Sequence, residues 1–169
     1  MKKIFCLFLV FAASYASADH WNQFHTKNKE CSISFPEQPT LFQQSLKVAS
    51  GEHLHYDIYL APFQNKGIFM LLVATYPHPL TGGHEVAGLE GLLKGIVGHN
   101  PENKLIFAEL VTHEGKPAMT FLVQSVSNYF RGQALMSENK LFLIAMEGRK
   151  TELDESMFGK FLESFQISH

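Results

Sequence analysis

The sequence contains few of the residues from which the commonest functional sites are built. It has two cysteines, and one of them, Cys6, lies in an apolar N-terminal run. Cys31 therefore has no partner for an intramolecular disulfide in the rest of the chain. The two arginines are Arg131 and Arg149, and no basic run is longer than two residues. Because phosphate contacts need a surplus of lysine and arginine, this composition excludes nucleic acid as a partner.

Catalytic and metal-binding motifs are also missing. The sequence contains no G-x-S-x-G nucleophile elbow, no G-x-x-x-x-G-K-[ST] phosphate loop and no C-x-x-C pair. His84 and Glu85 begin like the H-E-x-x-H motif of zinc proteases, but Gly88 stands where that motif requires its second histidine. The sequence therefore identifies no catalytic residue and favours a protein that is not an enzyme.

Residues 1–18 have the three parts of a Sec-type signal peptide. Lys2 and Lys3 form a basic start, residues 4–13 are apolar, and residues 16–18 provide a small-x-small cleavage pattern. The apolar run is too short for a membrane span, which needs about 20 residues. We therefore expect a soluble protein without an integral membrane anchor, exported to the periplasm or secreted from the cell.

Residues 19–30 are expected to form an N-terminal arm, and residues 31–169 a single domain. The arm is mostly polar, and its two large aromatic residues, Trp21 and Phe24, should pin it to the domain. Cys31 is interpreted as a small buried residue at the start of a strand. The alternative is a reactive thiol or an intermolecular disulfide, which no neighbouring residue favours.

Two runs are apolar on both faces and predict central strands. Residues 115–148 contain three apolar runs separated by turn residues, as in a β-meander, and the last run covers residues 141–146. Residues 68–76 have the same character. A strand that is apolar on both faces needs cover above and below, so both should lie in the middle of a layered domain.

Two helices are predicted around these strands. Residues 86–98 have helical period, but Gly88, Gly91, Gly95 and Gly98 lie within them, and each costs about 1 kcal/mol relative to alanine. Close approach to the sheet or a frayed helix explains such glycines, and so does a groove wall for a ligand or a surface for a partner chain. A terminal helix is expected to begin at Thr151, with a capping box to Asp154 and an apolar stripe. The stripe consists of Leu153, Met157, Phe158, Phe161 and Phe165.

The order of elements predicts an α+β fold with a mainly antiparallel central sheet of about six to seven strands and helices packed on its faces. Two strands, over residues 41–48 and 53–60, should form a hairpin around the turn residues 49–52. In the second strand, the even-numbered residues are apolar and the odd-numbered residues are mostly polar.

Four short motifs resemble the PsbP-like group of small exported domains. They are the segment 33–39 (ISFPEQP), Tyr56-x-x-Tyr59, the Arg131-Gly132 pair and the segment 161–165 (FLESF). The resemblance covers nearly the whole mature chain. It implies a central antiparallel sheet flanked by helices, in a group known for assembly, binding and accessory factors. It implies no shared catalytic residues.

One polar constellation suits a metal ion. On a strand, His53, His55 and Asp57 project to the same face, and His78 could add a fourth donor from a loop. Imidazole and carboxylate groups are ligands for zinc or copper. The alternative interpretation is a solvated polar face on an outer strand, with no cofactor.

The remaining function class is binding. Five phenylalanines at strand spacing could line a cavity beneath the glycine-rich helix or could form packed core: Phe69, Phe107, Phe121, Phe130 and Phe142. The sequence thus favours an exported, non-enzymatic binding or accessory domain, with a protein partner or a small apolar ligand. A periplasmic metal-binding protein is the alternative, and the oligomeric state stays open.

The signal peptide gives the first testable prediction. The exported protein should begin at Asp19, because the small residues Ala16 and Ala18 precede that position. N-terminal sequencing and intact mass of the protein from the exported fraction would measure this. A chain that keeps residues 1–18 would contradict the prediction.

Overall fold

The computed structural model describes residues 21–48, 50–64, 66–80 and 83–168. The expected signal peptide, residues 1–18, and the first two residues of the arm lie outside the described residues. Within the described ranges, no helix is long and apolar enough to cross a membrane. The strands are β1 (Asn22–His25), β2 (Cys31–Phe35), β3 (Thr40–Lys47), β4 (His53–Phe63), β5 (Gly67–Thr75), β6 (Lys104–His113), β7 (Lys116–Gln124), β8 (Asn128–Ser137), β9 (Lys140–Arg149) and β10 (Gln166–Ile167). The helices are α1 (His84–Gly98) and α2 (Glu155–Glu163).

The strands form one large antiparallel sheet and one small one. The large sheet has seven strands in the order β3-β4-β5-β9-β8-β7-β6, so β9 is its middle strand and β5 is the next strand. The small sheet has the order β1-β2-β10. The predicted mainly antiparallel α+β fold is confirmed, as are the meander β7-β8-β9 and the hairpin β3-β4.

The two faces of the large sheet have separate cores, because successive residues of a strand point to opposite sides. In β9, Phe142, Ile144 and Met146 belong to a core that also contains Phe158 and Phe161 of α2. The residues that alternate with them, Leu141, Leu143 and Ala145, belong to the other core. That core also contains Leu89 and Leu93 of α1. Every residue from 141 to 146 is buried, as a strand covered on both sides requires.

Aromatic contacts hold the N-terminal segment against the α2 core. The ring of Trp21 lies 5.0 Å from Phe69 and 6.0 Å from Phe161, and Phe24 lies 5.1 Å from Tyr59, all between ring centroids. Residues 22–25 also pair with β2, so the segment contains a strand that its polar sequence does not predict. The small sheet therefore covers part of the large one.

This cover changes the pattern of β4. Tyr59, which the alternation of the sequence places on a polar face, is 1% exposed, and its hydroxyl accepts a hydrogen bond from the Lys27 backbone N–H at 3.0 Å. His53 and His55, on the same face, are exposed. The predicted amphipathic strand is thus correct for the first half of β4 and wrong for the second half, where the small sheet lies.

The start of the terminal helix differs from the prediction. Residues Lys150–Glu152 form a 3-10 turn, and α2 begins at Glu155. Asp154 is itself the N-cap, and its carboxylate accepts hydrogen bonds from the backbone N–H groups of Ser156 and Met157 at 3.0 and 3.2 Å. A hydrogen bond from the Ser156 hydroxyl is the main cause that lowers the pKa of Asp154. The capping box from Thr151 is therefore wrong, because the cap lies three residues later.

Arg131 joins α2 to the large sheet. Its guanidinium lies over the Phe158 ring at 4.3 Å and over the Phe107 ring at 5.0 Å. It also pairs with the Glu155 carboxylate at 3.0 Å and donates a hydrogen bond to the Thr120 hydroxyl at 2.7 Å. A planar guanidinium can make these stacking and forked contacts at once, which a lysine cannot.

Cys31 is a buried residue of β2, as the sequence predicts. It is 0% exposed, and desolvation raises the pKa of its thiol from 9.0 to about 12. A nucleophilic cysteine needs a lowered pKa and access to solvent. Cys31 has neither property, so its position does not favour the alternative of a reactive thiol or an intermolecular disulfide.

The raised pKa predicts a loss of stability in alkali. Above pH 9 the unfolded chain releases the Cys31 proton while the folded chain retains it, so stability falls between pH 9 and about 12. This adds a slope of about 1.4 kcal/mol per pH unit to the wild-type free energy of unfolding. Denaturant unfolding of wild type and Cys31→Ala between pH 8 and 11 measures it. Parallel pH profiles for the two proteins would contradict the prediction.

Candidate functional site

The glycines of α1 divide into one packed position and three open ones. A Cβ atom at Gly88 would meet Leu80 at 3.4 Å and Met136 at 4.0 Å. A Cβ atom at Gly91, Gly95 or Gly98 would meet nothing within 4 Å. These are ordinary van der Waals distances, so close approach to the sheet does not require glycine even at position 88, although that position alone has neighbouring side chains. The other three glycines weaken the helix without a packing reason in the described part of this chain.

The part of the sheet face that lies beside α1, on β3, β4 and β5, is left without full cover by the described residues. The helix packs on β7 and β8, and the same face continues across β9 and β5 to the edge strand β3. The pairing of β3 with β4 places Phe42 opposite Ile58, and the pairing of β4 with β5 places Ile58 opposite Leu72 and Leu60 opposite Met70. We call this surface the open face; it consists of Phe42 and Leu46 of β3, Ile58 and Leu60 of β4, and Ile68, Met70 and Leu72 of β5.

The open face is apolar and accessible to solvent. Phe42 is 50% exposed, Leu46 is 56% exposed and Ile68 is 42% exposed. The other four residues of the face are half-buried, and none of the seven carries a charge. Exposed apolar residues are normal when they are scattered, whereas a continuous patch marks an interaction site or an aggregation hazard. Sequence alternation placed apolar residues here without indicating that they are left uncovered.

The predicted polar constellation lies on one face of β4, as its spacing requires. The rings of His53 and His55 are stacked with their centroids 6.2 Å apart. The Asp57 carboxylate accepts a hydrogen bond from the Gln43 amide at 2.8 Å, and His53 Nδ1 lies 3.0 Å from the Ser45 hydroxyl. Neighbours on the edge strand β3 therefore already contact two of the three proposed ligands.

His78 does not join this face. Its Nε2 atom lies 2.9 Å from the Glu52 carboxylate, at the turn between β3 and β4. In the described ranges, no group of three or more histidine, cysteine, aspartate or glutamate residues is arranged to hold a metal ion. His55 and Asp57 border an open groove of about 750 Å³ that also includes Glu30 and Lys140 at other points of its lining, whereas His53 does not line it. The arrangement resembles a solvated polar surface more than a coordination site.

A cavity of about 320 Å³ lies at the C-terminal end of α1. Ile96 and His99 form one wall, and Val123 and Phe130 lie on the strand side. The proposed phenylalanine lining is wrong as a set, because these side chains lie on both faces of the sheet. Phe121 and Phe130 are on the α1 side, whereas Phe69, Phe107 and Phe142 are on the α2 side.

Comparison with known proteins supplies a fold and no sequence relative. No protein-family model matches the chain, and no curated protein matches it by sequence. The solution structure of cyanobacterial PsbP (CyanoP) from Synechocystis sp. PCC 6803 superposes with a TM-score of 0.61, covering 94% of this chain and 99% of its own. The chain has the PsbP fold. At 12% identity, this similarity concerns the fold alone.

The PsbP fold confirms the resemblance predicted from the short motifs. Each motif has residues on one of the elements β2, β4, β8 and α2, and all four elements contribute side chains to the α2-side core. A crystal structure of a protein from Bacteroides thetaiotaomicron VPI-5482 also superposes, with a TM-score of 0.40 and 12% identity, over 87% of this chain and 48% of that one.

The open glycines of α1 can be tested by stability. The double variant Gly91→Ala/Gly95→Ala should raise the free energy of unfolding by about 1–2 kcal/mol, since alanine favours the helix and meets no neighbour. Gly132→Ala is the matched control, because its Cβ atom would lie 2.6 Å from Phe121 and should destabilise the protein. Denaturant unfolding measures both. A destabilised double variant would mean that these glycines pack within the chain after all.

Proposed function

We propose that this chain is an exported, non-enzymatic binding or accessory domain that holds an amphipathic helix of a protein partner on its open face. The observation that carries the proposal is the continuous apolar surface of β3, β4 and β5, beside α1 and without cover from the described chain. The PsbP fold adds support only for the scaffold. Export and the signal peptide remain predictions from the sequence.

The exposed apolar side chains of the open face would support a moderate affinity for a partner helix. Fully burying a large apolar side chain is worth about 1.5–3 kcal/mol. Phe42, Leu46 and Ile68 are each about half exposed, so covering them would contribute roughly 1 kcal/mol apiece before the entropic cost of association. Further contributions would come from the half-buried residues of the face. Such a surface fits a reversible partner better than a permanent subunit.

The dimensions of the open face favour a helix as the occupant. Three neighbouring strands span about 10 Å, which matches the diameter of about 10–12 Å of one α-helix. On the same face, α1 already packs against the neighbouring strands through Leu89 and Leu93. A second helix laid beside it would complete the layer that the seven-stranded sheet begins.

The four glycines give a second reason for a helical partner. Gly88, Gly91 and Gly95 follow one another at spacings of three and four residues, so they lie along one side of α1. Small residues allow two helices to approach closely. A partner helix on that side of α1 would compensate the helix for glycines that otherwise weaken it, and Gly98 would extend the contact at the C-terminal end.

Metal binding is the alternative, through His53, His55 and Asp57 with zinc or copper. The stacked imidazoles on an exposed strand are the observation in its favour. Elemental analysis of the purified mature protein should find no metal above background. Stoichiometric zinc or copper that disappears in His55→Ala would favour the alternative over the docking proposal.

The docking proposal is tested by site-specific photocrosslinking in the exported fraction of the native host. A crosslinker at Phe42 or Ile68 should capture the same protein, and the captured segment should be an amphipathic helix. A crosslinker at Val126, which is 74% exposed and lies outside the open face, is the matched control. A synthetic peptide of the captured segment should bind the mature protein, and Ile68→Glu should weaken this binding at least tenfold.

Other outcomes would overturn the proposal. Crosslinks between two copies, with a dimer in light scattering, would make the open face a self-association surface. A co-purified apolar molecule in native mass spectrometry would assign it to a small ligand. Equal capture from Val126 would remove any role for the face. Because Ile68 is substantially exposed, Ile68→Glu should fold normally, and thermal unfolding would verify this.

A further inference from the structure

A second cavity lies on the α2 side of the sheet, opposite the open face. Its volume is about 240 Å³, and its apolar floor is formed by Phe63, Phe69, Met146 and Met157. The rings of Phe63 and Phe69 are 5.7 Å apart at 72°, so they make two walls of different orientation. Pockets for drug-sized ligands measure about 300–1,000 Å³. This cavity suits a single side chain or a small molecule.

The strand pairing leaves room for a phenol at this cavity. Gly67 of β5 pairs with Gly148 of β9, and a Cβ atom on Gly148 would lie 3.1 Å from the Tyr129 hydroxyl oxygen and would also strike the backbone of Lys66. Because both paired positions lack side chains, the ring of Tyr129 can cross β9 and reach the cavity that Gly67 lines.

The hydroxyl of Tyr129 is available to an occupant of the cavity. Its side chain is 2% exposed, and no hydrogen bond joins its hydroxyl to another residue in the part of the chain that the structure describes. Among the described residues, the fully buried side-chain atoms that lack a hydrogen-bond partner are Trp21 Nε1 and His113 Nε2. The Tyr129 oxygen is not one of them, so it is accessible from the cavity that Tyr129 lines and can form a hydrogen bond with an occupant. Burial, followed by nearby carboxylates, raises the pKa of Tyr129 to about 12, so the phenol is neutral at physiological pH.

Carboxylates stand at the rim of the cavity. Asp154 uses its Oδ1 atom for the helix cap and has its second oxygen free of those bonds, and Glu152 is held only by Arg149 at 3.4 Å. The Tyr129 phenol is close enough to four carboxylates for their negative charges to raise its pKa: Asp154, Glu152, Glu155 and Glu147. The facing cations are Lys66, which acts on Asp154, Arg149 beside Glu152, and Arg131 beside Glu155. Of the residues that line the cavity, Glu152 and Asp154 are carboxylates and Lys66 is a cation, so carboxylates exceed cations by one in the lining.

We propose that this cavity binds an ammonium or guanidinium group on an apolar stem. The stem would lie on Met146, Met157 and the two phenylalanine rings, whose faces also attract a cation. The charged group would donate hydrogen bonds to the Tyr129 oxygen and to the rim carboxylates. A purely apolar occupant would leave the phenol unpaired, and an anion would meet the excess of carboxylates. The source is a lysine or arginine side chain of another protein, or a free alkylamine.

Calorimetric titration of the mature protein tests the charge requirement. n-Butylammonium and n-butylguanidinium should bind saturably, whereas the isosteric n-butanol and the anion butyrate should bind at least tenfold more weakly. Methyl signals of Met146 and Met157 should shift on addition of the cations. If n-butanol binds as well as the cations, or if the methionine signals do not move, the proposal is wrong.

Variants assign the binding to this cavity. Tyr129→Phe and Glu152→Gln should each weaken cation binding about threefold to tenfold, and Lys66→Gln should strengthen it because a competing cation is removed. Glu163→Gln, on the exposed end of α2, is the matched control and should change nothing. If Tyr129→Phe fails to fold, the opposite effects of Glu152→Gln and Lys66→Gln decide the matter. Equal binding by all four variants would overturn the proposal.

The source is resolved by comparing peptides with the free amine. A tripeptide Gly-Lys-Gly with blocked ends should bind more tightly than n-butylammonium if the cavity takes a protein side chain, and more weakly if it takes a free amine. Its acetyl-lysine counterpart should not bind in either case. Binding of the acetylated peptide would contradict the proposal. The outcome is independent of the docking proposal, since the open face lies on the other side of the sheet.

Discussion

The structure depends on one constraint, which is that its middle strand is buried on both faces. Every side chain from residue 141 to residue 146 is inside, so β9 cannot exist without a layer above and a layer below. Its neighbour β5 is also apolar on both faces, but its α1 side is only partly covered, because Ile68 is 42% exposed and Met70 and Leu72 are half-buried. The small sheet and α2 provide the layer on one side, and α1 provides the layer on the other over β7 and β8. The cover on the α2 side is more extensive than the cover on the α1 side, and this difference leaves the open face exposed.

The better-covered side is a dense aromatic core. Phe69 and Phe161 approach to 4.8 Å, Phe35 lies 5.2 Å from Phe161, and the ring of Trp21 closes the group. Arg131 then fastens the start of α2 through stacking and an ion pair. Because this layer is built from several elements that meet at their ends, a gap remains between them. The cavity at Tyr129 is that gap, and the glycine pair at β5 and β9 enlarges it.

The sequence predicts the parts of this structure that depend on local pattern. Residues 68–76 and 141–146 are apolar on both faces whatever they pack against, so both central strands can be predicted directly. The predicted cover on both sides is correct for residues 141–146 and wrong for residues 68–72, whose α1 side is only partly covered. The sequence does predict that Trp21 packs against the domain, as its contacts with Phe69 and Phe161 confirm. The burial of Tyr59 could not be predicted from local pattern, because it depends on the small sheet formed by β1, β2 and β10. The start of α2 was misplaced for a local reason, since both Thr151 and Asp154 are acceptable caps and the 3-10 turn selects the second.

The candidate sites illustrate the same limit. The spacing of His53, His55 and Asp57 correctly places them on one face, but spacing cannot reveal that Gln43 and Ser45 stand opposite them or that His78 turns toward Glu52. The helical period of α1 likewise identifies its buried leucines but cannot say which side of the helix is empty. Only the packed structure separates Gly88, where an added Cβ atom would meet Leu80 and Met136, from the three glycines where it would meet no described atom within 4 Å.

The glycine-rich helix α1 lies beside the open face of the sheet. A single partner helix would account for both features. Taken alone, Gly91 and Gly95 cost the folded protein about 1 kcal/mol each without any contact in return. Taken alone, Phe42 and Ile68 expose apolar surface that invites aggregation. A partner helix that fills the uncovered part of the layer would turn both disadvantages into contacts. On the docking proposal, the chain would form one side of an interface, while its aromatic core on the α2 side supplies the packing that the open face lacks.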